Sequence, residues 1–421
     1  MNITEYGLIG EKLPHSYSAE IHALLGDYDY RLCELSKEEL PEFMQRKAFR
    51  GINVTIPYKK DVIPFLFRLD EKAEKIGAVN TVVNRDGKLY GYNTDYYGLS
   101  SLFSRIGIDP KGKNALILGT GGTSRTALAV LRDSGAARIT VASRTERDGA
   151  VTYEKAKELI DTEILVNTTP VGMYPNPDGC PIDISRFPRL CGVVDAVYNP
   201  LRTNLVSAAR ERGIPSIGGL YMLVAQAQAA NRLFFGKEPC EDKATIEQVT
   251  DTVRRAKENI VLTGMPTSGK SSIGKLLSEK TGRSFLDADL VFEEKQGISP
   301  AEFIRQNGEE AFRRKESEIL SYCANRSGAI IATGGGAVLR SENRLILSRN
   351  GTIVFIDRSL EKLSCCGDRP LSATRDALKT LYDTRYRLYR EFCDIRVDGD
   401  GTVEDTAENV LNEFNAYKEG F

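Results

Sequence analysis

A chain of 421 residues with a net charge of −1, 27% charged and 41% hydrophobic residues, has the balance of globular domains and lacks the basic excess that a nucleic-acid partner calls for. At about 150 residues per domain it holds two to three domains, each long enough to bury a core. No run of about eighteen apolar residues occurs, Met1–Tyr6 lacks a basic stretch followed by an apolar one, and the eight cysteines form no CxxC pair, so a membrane partner and structural zinc are disfavoured and a reducing cytoplasm is expected.

With only His15 and His22 in the chain, Lys, Asp and Arg must carry the chemistry. Tyr6–Gly10 reads as a short apolar strand, and Pro14–Ser18 leads into a helical stretch. On extended backbone Ser16 and Ser18 point the same way and suit gripping a carboxylate; the alternative is that they cap the next helix. Gly51–Pro57 alternates like a strand and places Lys59 just past its end. Ile76–Thr81 and Gly91–Asp95 each close on small polar groups, so Thr55, Lys59, Asn80 and Asp95 are candidates to converge. A lysine beside a carboxylate is commonly a surface pair worth little. At the ends of segments rich in small residues it lines a pocket instead, where a lysine tuned by a neighbour and by desolvation supplies the charge and proton that carbonyl reduction needs.

Lys113–Leu118 has the apolar run of a buried strand and opens into Gly119-Thr-Gly-Gly-Thr-Ser124, a helical pattern stopping near Gly135, and a second strand over Arg138–Ala142. That order is the dinucleotide-binding unit, with Gly119 and Gly121 in place and Ser124 in the last glycine slot. An NAD site puts an acid at the end of the second strand; here Ser143-Arg-Thr-Glu-Arg147 offers two guanidinium groups and two hydroxyls. A 2′-phosphate fits that set, which favours NADP(H), the alternative being two solvated arginines. Further parallel strands are expected at Ile164–Thr169 and Val193–Val197, and Gly218–Gln226 starts a helix that can cross back to the first domain.

These residues together resemble the shikimate dehydrogenase family, over roughly residues 5 to 235. The likeness runs through His15–Ser18, Asn53–Lys59, Ile76–Thr81, Asn93–Asp95, Asn167–Met173, Tyr198–Pro200 and Met222–Gln226. The resemblance implies that Lys59 and Asp95 are the catalytic pair at the carbonyl of 3-dehydroshikimate. It implies that Ser16, Ser18, Thr55, Asn80, Asp95, Tyr198 and Gln226 hold the substrate. NADP(H) is implied at Gly119, Thr120, Gly121, Gly122 and Thr123, at Ser143, Arg144, Thr145 and Arg147, and at Gly219. Ala19 and Ser143 depart from residues usual in the family, and neither departure removes a reacting group.

After a polar, helix-compatible stretch, the apolar run Asn259–Thr263 meets Gly264-Met-Pro-Thr-Ser-Gly-Lys-Ser271, which fits G-x-x-x-x-G-K-[ST] between a strand and a helix. Such a loop turns backbone N–H groups onto phosphates, its lysine reaches the terminal oxygens and its Ser hydroxyl can ligate Mg²⁺. Phe285–Asp289 ends a strand with two acids spaced to face the same way, one suited to Mg²⁺ and one to an attacking hydroxyl. Ala329–Gly336 is a buried-type strand opening into three glycines, Thr352–Ile356 is another strand, and Cys366–Leu371 is expected to be a mobile loop.

This section resembles the shikimate kinase family, over about residues 259 to 415. The resemblance implies ATP at Gly264, Thr267, Ser268, Gly269, Lys270, Ser271 and Ser272, with Arg369 closing over it and acting with Lys270 and Asp289 in catalysis. It implies Mg²⁺ at Ser271 and Asp287, and shikimate at Asp289, Arg313, Gly335, Gly336 and Arg385. The expected architecture is α/β throughout: a substrate lobe over residues 1–101 and 219–250, a Rossmann-like NADP lobe over 102–218, and a P-loop kinase with a parallel sheet over 258–421. The expected function is bifunctional, NADPH-dependent reduction of 3-dehydroshikimate and ATP-dependent phosphorylation of shikimate. The alternatives are quinate as a dehydrogenase substrate and a sensor that binds these ligands without turnover.

Overall fold

The computed structural model of the protein describes residues 5–13, 16–146, 149–364 and 374–417. His15, Arg147, Arg369 and the loop expected at Cys366–Leu371 lie outside the described residues. The chain divides into two units, the first running to Val253 and the second starting at Arg254. Among the described residues no helix is long and apolar enough to cross a membrane.

The first unit holds two six-stranded sheets. One is built from β1 (Tyr6–Gly10), β2 (Tyr30–Glu34), β3 (Gly51–Val54), β4 (Arg68–Leu69), β5 (Thr81–Arg85) and β6 (Lys88–Tyr92), in the order β2-β1-β3-β5-β6-β4. Its β1 pairs parallel with both β2 and β3, but β5 runs antiparallel between β3 and β6. Ile9, Ile52, Val54, Val79 and Val82 bury on one side of this sheet, while Tyr6, Leu8 and Val83 pack with Leu233 and Phe234 on the other. In the β3–β5 register Asn53 stands opposite Thr81.

The second sheet comprises β7 (Asn114–Leu118), β8 (Arg138–Ser143), β9 (Ala150–Thr152), β10 (Ile164–Asn167), β11 (Gly192–Asp195) and β12 (Ser216–Ile217). All its pairings are parallel, in the order β12-β11-β10-β7-β8-β9. Helices cover both faces of such a sheet, which is why its central strands read as unbroken apolar runs; β10 and β11 are buried along their whole length. The helix Gly122–Asp133 starts at the glycine turn after β7.

Two helices tie these sheets together. Asp95–Arg105 leaves β6 and crosses Leu220–Phe234, and their Leu99, Leu102, Val224 and Ala225 share a core with Ala127, Val130 and Leu131 of the helix after the glycine turn. The crossing is close because Gly98 has no side chain: a Cβ there would sit 2.6 Å from the Met222 carbonyl oxygen and 3.2 Å from Gln226 Cβ. Gly98 therefore sets the spacing between the helix that begins with Asp95 and the helix that carries Gln226.

The second unit has one parallel sheet, β13 (Asn259–Thr263), β14 (Phe285–Asp287), β15 (Ile330–Ala332), β16 (Gly351–Asp357) and β17 (Ile395–Asp398). Its order, β14-β15-β13-β16-β17, puts β13 in the middle, and the glycine loop leaves from that strand's carboxyl end. Ile260, Leu262, Val354 and Ile356 pack on one face with Ile273 and Leu277 of the helix after the loop. Val261, Ile331, Ile353 and Phe355 face a second cluster with Phe312, Leu320 and Tyr389. The expected α/β classes are thus the observed ones: a mixed-sheet lobe beside a Rossmann-like parallel sheet, and a separate parallel sheet behind a phosphate loop.

Because the Met222 carbonyl is backbone and cannot swing away, Gly98→Ala must push the two helices apart. We expect a loss of about 1–3 kcal/mol, read as a lower thermal midpoint for the first unit, while the second unit melts as in the parent.

Candidate active sites

Lys59 sits in the turn after β3, where Tyr58 N–H donates to Thr55 O at 2.9 Å and Val79 N–H donates to Lys59 O at 2.8 Å. Its ammonium reaches the first residue of the helix Asp95–Arg105, with Nζ 2.5 Å from Asp95 Oδ2. The side chains are 21% and 7% exposed, so this is a largely buried pair and not the solvated kind. Truncating one partner would strand a charge away from water. The other carboxylate oxygen, Oδ1, accepts from Asn80 Nδ2 at 2.9 Å, and Asn80 Oδ1 accepts from Thr94 N–H at 2.6 Å. Thus Lys59, Asn80 and Asp95, distant in sequence, form one bonded group.

The other candidate substrate residues stand in three further places. Tyr17, between Ser16 and Ser18, lays its ring edge on Tyr198 with centroids 5.3 Å apart. Ser18 opens the helix Ser18–Leu25, and Ser16 Oγ accepts from Ser18 N–H at 3.3 Å, but no side chain caps that helix at Tyr17. Gln226 Oε1 is buried with no hydrogen-bond partner. An orphaned amide oxygen on the helix next to Asp95 is a vacant acceptor, which fits a hydroxyl-bearing ligand. Thr55 serves the turn leading to Lys59 through its carbonyl.

Three residues before Tyr198 stands a buried carboxylate that the sequence does not single out. Asp195 ends β11 and accepts from Asn167 Nδ2 at 2.9 Å, Thr203 Oγ1 at 2.6 Å and Val197 N–H at 3.0 Å. Burial pushes its carboxyl up to about 6, against those three donors. Asn167 in turn accepts from Thr169 N–H at 3.0 Å, so the strand ends of β10 and β11 are fastened to each other beside Tyr198.

Gly121 caps the helix Gly122–Asp133, and a Cβ at Gly121 or Gly122 would meet nothing within 4 Å. Open space over a helix amino end is where a pyrophosphate binds. Gly119 adopts φ +104 in the same turn. Ser143 is buried at the end of β8, while Arg144 and Thr145 are exposed just beyond it. Glu146 is engaged by Lys155 at 2.8 Å, and Arg144 stands one residue past the end of β8. Gly219 caps the helix Leu220–Phe234, its N–H donating to Val197 O at 2.8 Å.

In the second unit Lys270 is buried, and its ammonium donates to the Gly264 and Met265 carbonyls, each at 2.9 Å. The lysine is folded back over its own loop, whose Gly269 caps the helix Lys270–Thr281. Thr267 Oγ1 accepts from Ser364 N–H at 3.2 Å. Ser271 Oγ donates to Asp287 Oδ2 at 2.5 Å. One hydroxyl and one carboxylate make a hard oxygen set that phosphate oxygens and water can complete around Mg²⁺. Among the described residues no three His, Cys, Asp or Glu side chains gather as they would in an all-protein metal cage.

The two acids near β14 do not share a face by strand alternation. The strand stops at Asp287, which caps the helix Ala288–Gln296 and accepts from Asp289 N–H at 3.0 Å. A helical turn, not a two-residue period, sends Asp289 elsewhere: its Oδ1 lies 2.9 Å from where a Cβ on Gly334 would be, with Glu316 Oε1 at 2.8 Å from the same point. Around these carboxylates stand Arg313 and Arg385. Arg385 Nη1 and Tyr389 OH both donate to Gly335 O, at 2.9 Å and 2.5 Å, and a side chain on Gly336 would collide with the Arg313 guanidinium. Burial, aided by the Arg313 charge, lowers the Arg385 pKa.

Arg313 is already held by Glu316 at 2.8 Å and Glu309 at 3.0 Å. Both carboxylates escaped the sequence reading, although their spacings of three and four residues on one helix were a legible signal. Burial raises the Glu316 pKa.

Comparison with known proteins covers both units. Residues 8–82 match the profile described as shikimate dehydrogenase substrate binding domain, and residues 266–415 match that of shikimate kinase. A shikimate dehydrogenase (NADP(+)) of Clostridium perfringens is 36% identical over 267 residues, spanning 59% of this chain and 98% of that protein. Among solved structures, a chorismate mutase/shikimate 5-dehydrogenase fusion protein from Clostridium acetobutylicum is 34% identical with a TM-score of 0.56, covering 60% of this chain and 98% of that one. Shikimate 5-dehydrogenase from Thermus thermophilus, in complex with NADP(H) and shikimate, is 33% identical with a TM-score of 0.53, covering 59% and 99%.

Proposed function

The chain belongs to the shikimate dehydrogenase family and carries a shikimate kinase domain behind it, and on that premise we propose how its residues divide the work. It is a bifunctional enzyme of the shikimate pathway, reducing 3-dehydroshikimate to shikimate with NADPH and phosphorylating shikimate to shikimate 3-phosphate with ATP. In the proposed division, residues 1–101 and 219–250 hold the first substrate, 102–218 hold NADP(H), and 258–421 form the kinase. A reducing cytoplasm suits its cysteines, since the six within the described residues are all free.

The observation that carries the reductase assignment is the Lys59–Asp95 pair, 2.5 Å apart and largely buried, with Asn80 on the remaining carboxylate oxygen. Lys59 places a positive charge beside the carbonyl oxygen as negative charge develops there, and its Nζ–H supplies the proton. Asp95 keeps Lys59 aimed and, with Asn80, meets the substrate hydroxyls. Ser16, Ser18, Thr55, Tyr198 and Gln226 complete the grip on carboxylate and hydroxyls. The fit of NADP(H) rests on the open Gly121–Gly122 cradle with Gly119, Thr120 and Thr123, on Ser143, Arg144, Thr145 and Arg147 for the 2′-phosphate, and on Gly219 near the nicotinamide.

In the kinase, Arg313 and Arg385 receive the shikimate carboxylate against the Gly335 and Gly336 backbone. Arg313 is already paired with Glu316 and Glu309, and Arg385, whose pKa burial lowers, gains a carboxylate partner when the substrate binds. Asp289 orients the acceptor hydroxyl and takes its proton. Gly264, Thr267, Ser268, Gly269, Lys270, Ser271 and Ser272 form the phosphate cradle with Arg369 over it, and Ser271 and Asp287 are the pair that would hold Mg²⁺. NADPH supplies a hydride, ATP a phosphoryl group, and Mg²⁺ charge neutralisation on the phosphates.

Given 3-dehydroshikimate, NADPH and MgATP together, the purified protein is expected to yield shikimate 3-phosphate by mass; shikimate alone would mean a silent kinase. Lys59→Ala should slow reduction about 10²- to 10⁴-fold while shikimate still binds within a few-fold of the parent, measured by titration. A parent-like rate would remove Lys59 from the chemistry. Arg144→Ala should raise KM for NADPH roughly tenfold and leave the reaction with NADH unchanged; equal effects on the two cofactors would refute a 2′-phosphate contact.

A further inference from the structure

Beneath the Lys59–Asp95–Asn80 group lies a run of polar side chains that no catalytic step uses. Asn53 on β3 faces Thr81 on β5 through the antiparallel register. Its Nδ2 donates to Thr81 Oγ1 at 3.0 Å and approaches Asn80 O at 3.4 Å. Its Oδ1 accepts from the buried Tyr30 phenol at 2.7 Å. The His22 ring stacks on Tyr30, with centroids 3.8 Å apart and planes 9° from parallel.

Which way each group points follows from counting protons. Tyr28 OH accepts from Asn231 Nδ2 at 3.0 Å, so its own proton is free for His22 Nδ1 at 2.5 Å. His22 then carries its hydrogen on Nε2. It stays neutral, because burial lowers its pKa to about 3. The Asn80 carbonyl can only accept, so the end of the Asn53 amide that faces it is the nitrogen, and Oδ1 is left for the Tyr30 phenol. Asn53 is left with only N–H to offer Thr81. The Thr81 hydroxyl, having accepted, must give its proton onward, to Asn80 Oδ1 at 3.3 Å or Thr94 Oγ1 at 3.1 Å. Thr94 adds its N–H to Asn80 Oδ1. Donors thus gather on the oxygen end of Asn80, and its nitrogen end is kept for Asp95 Oδ1 and Thr94 Oγ1.

We propose that Asn53, its amide oriented by Tyr30 and the Asn80 carbonyl, is a positioning residue for the reduction, acting through Thr81 on Asn80 and so on Asp95. Its side chain hydrogen-bonds to Tyr30, Thr81 and the Asn80 carbonyl and not to Lys59 or Asp95; its effect is to hold the Asn80 amide in the one orientation that donates to the carboxylate. The inference rests on the reading of Lys59 and Asp95 as the reducing pair.

The test compares Asn53→Leu and Thr81→Val, singly and together, with Lys59→Ala alongside, in the full-length chain. Concentrations of competent sites are fixed by NADP⁺ titration, which reads the other sheet of the unit. Each single variant is expected to lower kcat per site about tenfold, since small misplacements of reacting groups are costly, with Kd for NADP⁺ unchanged. The isotope effect with deuterated NADPH should rise as the chemical step becomes slower. The double variant should be no slower than the worse single one, because both act through one hydroxyl. Loss of folded protein alone would lower the number of sites and leave kcat per site and the isotope effect as in the parent. If both singles turn over within twofold of the parent while Lys59→Ala is inactive, Asn53 positions nothing. Losses that multiply in the double variant would also overturn the proposal. Should Asn53→Leu fail to fold, Thr81→Val decides by the same kcat and isotope criteria. A parent-like rate for Lys59→Ala would instead strike the reading on which the inference stands.

Discussion

An ammonium and a carboxylate held 2.5 Å apart and mostly out of water, Lys59 and Asp95, set the terms for the rest of the first unit. Such a pair persists only where geometry and further hydrogen bonds offset the loss of hydration. The surrounding fold provides both. Lys59 is anchored through its backbone to Val79, Asp95 opens a helix, and Asn80, just before β5, holds the carboxylate oxygen that Lys59 leaves. The Gly98 crossing fixes that helix against the one bearing Gln226. The mixed sheet, with β5 reversed between β3 and β6, is what brings residues 53, 80 and 95 to one place.

The second unit solves a different electrostatic problem with the same economy of parts. Its phosphate loop is a backbone device, and its lysine is parked on two loop carbonyls, bonds that a phosphate can replace without moving the main chain. The acceptor side is a charge mosaic: Asp289 and Glu316 near Gly334, Arg313 and Arg385 near Gly335 and Gly336. Opposite charges this close restrain one another, so the arginines are pre-aimed before any ligand arrives. Pre-aiming is what electrostatic stabilisation of a transferring group requires.

Much of this was legible in the residues. The apolar runs before Gly119 and Gly264 announced parallel strands feeding helix amino ends, and the structure places β7 and β13 there. Clustered functional groups at segment ends marked Lys59, Asn80 and Asp95. What could not be read was whatever depends on register or on an exact element boundary. Asn53 opposite Thr81 is a fact of β3–β5 pairing, and sequence spacing does not encode it. The Asp287 and Asp289 spacing suggested a shared strand face, yet the helix begins one residue too early for that. Asp195 lay inside an apparently ordinary buried strand, and only its three donors reveal why a carboxylate ends it.

Each unit closes its own hydrophobic cores around its own sheets. One messenger therefore makes the two activities in a fixed one-to-one ratio, which a pair of separate genes would have to regulate. Their thermal fates need not match, since heat can open one core while the other holds. On warming, the activity that limits flux through the paired reactions can then change hands although the number of polypeptides does not.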